Sequence, residues 1–141
     1  MFLREGFGEI INNGNDLTLI ATGKTVYDAM EAAKILKQKN ISCRVINMCT
    51  LKPIDRQLII ESAIETKDII TIEEHKTTGG LGSIVSEILC LNVDKYVPFK
   101  TIGVDTDCFY KNLRYNQAKE EYGITPANIV STTELIYKGA K

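Results

Sequence analysis

Hydrophobic and polar positions along this chain follow two alternating periods. Runs of β-branched and other apolar residues predict four strands, at residues 17–22, 41–48, 68–73 and 97–104. Apolar residues at intervals of three and four predict helices between these strands, at about residues 25–39, 55–66 and 82–91. Two further helices close the chain, and the second begins at Thr125-Pro126, a capping residue followed by proline at the first helical position.

The alternation of strand and helix, with short connections, determines the predicted fold class. It is typical of an α/β domain with right-handed crossovers and helices on both faces of a parallel sheet. Residues 8–13 favour a short leading strand, parallel or antiparallel to its neighbour. We therefore predict a three-layer α/β/α architecture with a mostly parallel five-stranded sheet, in one domain of residues 1–141 whose leading segment is 1–15.

Composition excludes several classes of partner. The 17 basic and 18 acidic residues give a net charge of −1, and the basic ones are scattered, so neither nucleic acid nor a membrane surface is an expected partner. No apolar run reaches the ~20 residues that a membrane span needs, and the first residues lack the apolar core of a signal peptide. The four cysteines show neither a Cys-x-x-Cys pair nor a metal-ligand spacing with the single histidine. We expect reduced structural thiols in a cytoplasmic protein.

The stretch from Asp68 to Leu91 contains the strongest candidate for a functional site. A strand ends there in Glu73-Glu74-His75, a turn with Gly79 and Gly80 follows, and a helix begins next. Open α/β sheets bind ligands at the carboxyl ends of their strands. Two interpretations stay open: a tight turn packed against a neighbouring domain, or a small-anion site at the helix N-terminus near Gly82.

Catalysis by the same residues has weaker support. Glu73, Glu74 and His75 would suit acid–base chemistry, since histidine titrates near neutrality and paired carboxylates perturb one another. Consecutive residues alternate sides at a strand end, however, so at most two of the three point the same way. No serine or cysteine is placed as a partner nucleophile, because Ser83 lies in a first helical turn, where capping is the simpler role. An independent enzyme that uses His75 is therefore disfavoured.

Three short motifs suggest ligand binding, and each departs from its pattern. Gly23-Lys24-Thr25 would end a phosphate loop only with a glycine where Thr18 stands. Gly80-Leu81-Gly82 would begin a dinucleotide fingerprint only with glycine or alanine in place of Val85. Asp105-Thr106-Asp107 lacks the further oxygen ligands of a calcium loop, and turn formation is the better explanation.

Several segments match one known family. The most specific are Glu73-Glu74-His75, Gly79-Gly80-Leu81-Gly82-Ser83 and Glu87. Others are Asp16-Leu17-Thr18-Leu19-Ile20-Ala21-Thr22-Gly23, Lys52-Pro53-Ile54-Asp55, Ile102-Gly103-Val104-Asp105 and Tyr122-Gly123-Ile124. Over roughly Glu9 to Tyr137, the chain resembles the C-terminal domain of transketolases, in particular of those made as two separate subunits. The same domain is also the C-terminal domain of deoxyxylulose phosphate synthases and of the β subunits of 2-oxoacid dehydrogenases.

The resemblance implies a place in a larger enzyme. Transketolases use thiamine diphosphate and Mg²⁺ to move a two-carbon ketol unit between sugar phosphates in the pentose phosphate pathway. They bind the diphosphate through Gly-Asp-Gly and a later Asn-Asn in the first domain, and a glutamate of the second domain activates the cofactor. This chain has no Gly-Asp-Gly, and its Asn12-Asn13 lies in a loop without that context. The resemblance therefore assigns it no catalytic, cofactor-binding or metal-binding residue.

We accordingly expect a non-catalytic section or subunit, inactive alone, that packs on the cofactor-binding domains and supports dimer assembly. Its contact surface, or alternatively its anion site, is expected at Glu73, Glu74, His75, Gly79, Gly80, Leu81, Gly82 and Ser83. Under this hypothesis Gly80→Val weakens partner association while the isolated domain stays folded. The alternatives are the same domain of a deoxyxylulose phosphate synthase or 2-oxoacid dehydrogenase β subunit, and a stand-alone regulatory module that binds an anion or sugar phosphate.

Overall fold

The computed structural model describes residues 4–105 and 112–139. Its strands are β1 (Gly8–Asn12), β2 (Leu17–Ala21), β3 (Cys43–Met48), β4 (Asp68–Lys76) and β5 (Phe99–Val104). Its helices are α1 (Thr25–Gln38), α2 (Arg56–Thr66), α3 (Leu81–Asn92), α4 (Tyr115–Glu121) and α5 (Pro126–Gly139). Cys108 and the Thr106-Asp107 part of the aspartate turn lie outside the described residues.

The strands form one five-stranded sheet in the order β1-β3-β2-β4-β5. β2 pairs in parallel with β3 and β4, and β4 pairs in parallel with β5. Only the leading strand runs the other way, since β1 is antiparallel to β3, with a register shift between Ile10 and Asn12. The predicted α/β class and the mostly parallel sheet are confirmed.

Two hydrophobic clusters fill the space on the two faces of the sheet. Helices α1 and α5 pack together on one face, and α2 and α3 pack together on the other. Every residue of β2 is buried, which is what a central parallel strand covered on both sides requires. Its alternate residues point to opposite faces of the sheet, so Leu19 belongs to one cluster and Ile20 to the other.

Several strand ends differ from the prediction, and β1 and β2 each end one residue early. β3 begins two residues late, because Asn40 adopts a φ of 60° and the N–H of Ile41 still bonds to the carbonyl of Leu36 at the end of α1. β5 begins at Phe99 instead of residue 97. β4 continues to Lys76, which is in register with Val104 of β5. The extension of β4 places the Glu-Glu-His segment inside a strand and shortens the loop that follows.

The helix boundaries agree better with the sequence. Asp55 caps α2, since its carboxylate accepts a hydrogen bond from the N–H of Leu58 at 3.0 Å. Helix α5 begins at Pro126, as the capping pattern predicts. Within residues 4–105 and 112–139, no helix combines the length and the apolar content that a bilayer crossing needs.

Candidate functional site

The strand order creates a switch point between β2 and β4. From β2 the chain crosses to β3 on one side, whereas from β4 it crosses to β5 on the other side. In open α/β sheets such neighbours leave a crevice outside their carboxyl ends, where ligands bind. The β4–α3 loop, which contains most of the predicted site residues, borders this crevice.

Glu73 is the centre of the β4–α3 loop. Its side chain is fully buried, and its two carboxylate oxygens accept hydrogen bonds from the N–H groups of Leu81 and Gly82, each at 2.9 Å. These donors are among the unpaired N–H groups at the start of α3, where the helix dipole favours a negative charge. The Glu73 carboxylate therefore already occupies the N–H donors that the sequence predicted as a site for an external anion.

Burial and hydrogen bonding act on Glu73 in opposite directions. Burial raises the pKa of this carboxyl, while the hydrogen bonds from Gly82 and Leu81 and the nearby His75 offset only part of the increase. Hydrogen bonds to a charged group are worth about 1.5–3 kcal/mol each. The two bonds thus offset much of the cost of burying the carboxylate and fix the loop to the helix.

The glycines of the loop are explained by contacts within the chain. A Cβ on Gly80 would lie 1.9 Å from a carboxylate oxygen of Glu73 and 2.6 Å from the carbonyl oxygen of Lys76. A Cβ on Gly82 would lie 2.5 Å from the Thr101 methyl group. Gly80→Val is therefore expected to destabilise the isolated domain as well as to affect partner association, because the added atoms would displace the Glu73 carboxylate.

Gly79 has a different role from its neighbour. It has a φ of +78°, which favours glycine, yet its Cβ position has no atom within 4 Å. Gly79 therefore permits the turn without close packing and is exposed to solvent.

Ser83 links the two ends of the loop. Its hydroxyl accepts a hydrogen bond from the N–H of Gly79 at 2.8 Å and donates one to the carbonyl of Thr77 at 2.9 Å. The N-cap of α3 is Gly80, which provides no side-chain hydrogen bond. Ser83 thus stabilises the loop from inside the first helical turn, instead of capping the helix as the sequence suggested.

The Glu-Glu-His segment divides among three environments. Glu73 points to α3, whereas Glu74 points to α4 and accepts a hydrogen bond from the hydroxyl of Tyr115. His75 is exposed, and its imidazole forms no hydrogen bond with a described residue. The structure therefore does not bring the two carboxylates and the imidazole together as an acid–base set.

Sequence reasoning missed a polar cluster in the crevice, the Tyr115 cluster, which consists of Lys24, Asp28, Glu74, Tyr115 and Lys119. Lys119 forms a 2.6 Å ion pair with the buried Asp28, and the ammonium group of Lys24 lies 4.9 Å from the centroid of the Tyr115 ring. The hydrogen bond to Glu74 raises the pKa of Tyr115 to about 12. The cluster fixes α4 across the carboxyl ends of β2 and β4.

Metal and thiol chemistry find little support in the described residues. Among them, no group of three or more His, Cys, Asp and Glu side chains is arranged to hold a metal ion. Cys43, Cys49 and Cys90 are free thiols. Burial raises the pKa of Cys43 to about 12, so this thiol stays protonated and unreactive near neutral pH.

Comparisons with known proteins agree with this geometry. A family model for the transketolase C-terminal domain matches residues 6–129. One of the subunits of an apulose-4-phosphate transketolase from Phocaeicola vulgatus is 39% identical over 130 residues, which are 90% of this chain and 39% of that protein. 1-Deoxy-D-xylulose-5-phosphate synthase 1 of Geobacter sulfurreducens is 41% identical over 137 residues, 96% of this chain and 21% of that protein.

A solved structure extends the similarity to the whole fold. It is described as a split gene transketolase, inactive beta4 tetramer, and it superposes with a TM-score of 0.88 at 37% sequence identity. The match covers 98% of this chain and 43% of that one. The chain thus spans between 21% and 43% of the length of these relatives.

Proposed function

Since this chain belongs to the family of transketolase C-terminal domains, we propose that it is the non-catalytic C-terminal section of a thiamine-diphosphate-dependent transketolase. In this role it packs on the cofactor-binding section and supports dimer assembly, in a cytoplasmic enzyme of the pentose phosphate pathway. The complete enzyme would transfer a two-carbon ketol unit between sugar phosphates. The deoxyxylulose phosphate synthase alternative stays open, because relatives of both kinds are similar to the chain.

The closed β4–α3 loop is the observation that carries this proposal. Glu73 and Ser83 satisfy the loop from inside, so the tip holds its shape without a ligand. The outward residues His75, Thr78 and Gly79 are exposed, and nothing lies within 4 Å of the Cβ position of Gly79. A preorganised, exposed tip at the carboxyl end of a sheet suits docking onto a partner, since little conformational entropy is lost on binding.

The contacts of the same loop support binding of the cofactor by the partner section. Thiamine diphosphate needs donors for its diphosphate and oxygen ligands for Mg²⁺. The N–H groups of Leu81 and Gly82 already bond to Glu73, and no acidic cluster of the described residues suits a metal ion. These residues do not fit the cofactor, which supports its binding by the partner section.

A stand-alone sensor for an anion or sugar phosphate is less well supported. An anion at the start of α3 would have to displace the Glu73 carboxylate from both of its donors. Displacement would leave a buried carboxylate without those hydrogen bonds, at a cost of several kcal/mol.

Affinity capture with a loop variant tests the proposed function. The tagged chain is used to capture partners from its source cells, and the eluate is assayed for a thiamine-diphosphate-binding protein and for ketol transfer. Thr78→Arg places a large charge on the exposed tip and should reduce captured partner and activity at least about tenfold, as expected for a disrupted interface. Ser131→Arg makes a similar change on the exposed surface of α5 and serves as the matched control.

The outcomes separate the possibilities. Loss of partner with Thr78→Arg but not with Ser131→Arg supports docking through the loop. Equal capture by both variants would contradict that surface assignment. Formation of 1-deoxy-D-xylulose 5-phosphate by the eluate, without ketol transfer between sugar phosphates, would assign the chain to the alternative enzyme.

A further inference from the structure

A large cavity lies at the end of the sheet opposite the β4–α3 loop. Its volume is about 920 Å³, within the range of roughly 300–1,000 Å³ that is usual for small-molecule sites. It is bounded by the segments just before β2 and β4, by the start of β5 and by residues 135–137 of α5. We call it the amino-end cavity.

Asp68 lines this cavity and has an unusual environment. Its side chain is only 3% exposed, yet its carboxylate forms no hydrogen bond and no ion pair with a described residue. Burial raises the pKa of Asp68, and the positive charges of Lys67 and Lys95 offset only part of this increase. Neither carboxylate oxygen is among the fully buried side-chain atoms that lack a hydrogen-bond partner. The carboxylate therefore opens onto the cavity, where a ligand can reach it.

The other residues that line the cavity indicate which ligand groups it could bind. Tyr96, Pro98 and Phe99 provide flat apolar surface. Lys67 and Lys100 also line the cavity, and neither forms an ion pair with a described residue. Ile70, two residues after Asp68, is in register with Lys100, so the carboxylate and this ammonium group lie on adjacent strands.

Each part of the lining corresponds to a part of a ligand. An amino or amidine group can donate charge-assisted hydrogen bonds to a carboxylate. A planar ring packs on aromatic and proline side chains. An anionic group pairs with the ammonium group of a lysine.

We propose that the amino-end cavity is a binding site for a small zwitterionic molecule, with an amino or amidine group at Asp68, a planar ring on Tyr96 and Phe99, and an anionic group at Lys100. The site is independent of the proposed transketolase role, because it lies at the other end of the sheet from the β4–α3 loop. Asp68 is a binding residue, and its carboxylate has no hydrogen-bond or ion-pair partner among the residues that the structure describes.

A series of matched probes tests the proposal on the full chain. 4-Amidinobenzoate carries all three features, benzamidine lacks the anionic group, and 4-carbamoylbenzoate replaces the amidine by a neutral amide of the same shape. Binding is followed by NMR titration of backbone amides. We expect 4-amidinobenzoate to bind with a Kd of about 1 mM, a typical fragment affinity, and to shift residues around Asp68.

Two substitutions distinguish the role of the carboxylate from a general effect of charge. Asp68→Asn should weaken binding of the two amidines about tenfold or more, and that of 4-carbamoylbenzoate much less. Asp94→Asn removes an exposed carboxylate that does not line the cavity and should change none of the affinities. Lys100→Gln should remove the advantage of 4-amidinobenzoate over benzamidine.

Stability of the free chain provides a readout that does not depend on the probes. If Asp68 is held without a partner, Asp68→Asn should raise the urea midpoint of unfolding, because it removes a desolvated charge. A lower midpoint for this variant would overturn the proposal by revealing an internal structural role. The absence of saturable binding by any of the three probes at 20 mM (about twenty times the expected Kd), or amidine binding unchanged by Asp68→Asn, would overturn it as well.

Discussion

Gly80→Ala tests whether the Glu73 carboxylate closes the β4–α3 loop. The new methyl group would begin 1.9 Å from a Glu73 oxygen and 2.6 Å from the Lys76 carbonyl oxygen. The carboxylate must then leave the N–H of Leu81, which costs about 1.5–3 kcal/mol for a charged hydrogen bond. The backbone must also move away from Lys76, at about 1–2 kcal/mol for overpacking. We expect a total loss of about 2.5–5 kcal/mol in the free energy of unfolding.

The adjacent glycine provides the control. Gly79→Ala adds the same methyl group in open space, so only the positive φ opposes it, at about 1–2 kcal/mol. Urea unfolding followed by circular dichroism measures both variants. With a slope of about 2 kcal/mol per M, Gly80→Ala should lower the midpoint by about 1–2.5 M and Gly79→Ala by less than about 1 M.

A double-mutant cycle identifies the cause of the loss. In a Glu73→Ala background the obstructing carboxylate is absent, so Gly80→Ala should cost only the part due to Lys76, and the coupling energy should be about 1–3 kcal/mol. Equal costs in the two backgrounds would refute the role of the carboxylate, and so would a Gly80→Ala cost no larger than that of Gly79→Ala.

Two further predictions concern ionisation. Tyr115 should ionise near pH 12, and Glu74→Gln should bring its pKa back toward the ordinary value. The titration is followed by absorbance at 295 nm and assigned by subtraction of the Tyr115→Phe curve, and a titration unchanged by Glu74→Gln would contradict the hydrogen bond. Since the folded chain favours the neutral phenol, the fold should lose stability from this group only above about pH 10. Burial raises the pKa of Cys43 to about 12, so this thiol should resist labelling by a thiol reagent at pH 8 until the chain unfolds, while the exposed Cys90 reacts at once. Mass mapping of labelled peptides measures both rates. Early labelling of Cys43 would contradict its burial.

The elements could be predicted from the sequence because their signals are local. The apolar runs of β2 and β4, the capping residue Asp55 and the first helical residue Pro126 act within a few positions of themselves. Strand ends were less predictable, since the extension of β4 to Lys76 depends on pairing with Val104 in a strand that comes much later. The direction of β1 also depends on its neighbour rather than on its own residues.

The candidate site was predictable in place but not in its contacts. The sequence located a strand end, a glycine turn and a helix start. The hydrogen bond that the N–H of Leu81 donates to Glu73, however, depends on which side of the strand the carboxylate points to. The Tyr115 cluster could not be predicted from the sequence, because it joins Asp28 to Lys119 across 91 positions and depends on the strand order. The sequence identified Asp68 only as the start of a strand, and the cavity that it lines together with residues 135–137 of α5 becomes visible only in the folded structure.

The Glu73 carboxylate also has a consequence for how new binding could arise in this fold. The N-terminus of helix α3 has the geometry of an anion site, and the Glu73 carboxylate of the same chain is the anion that fills it. No space is left there for an external ligand. Replacement of residue 73 by alanine would leave two directed N–H donors around a space of carboxylate size. Formate or acetate from solution has the shape and charge to fill that space. Its binding would restore lost stability by an amount that rises with the logarithm of its concentration above its Kd. Acquisition of an anion site at this edge therefore requires the loss of one side chain, not the construction of a new loop.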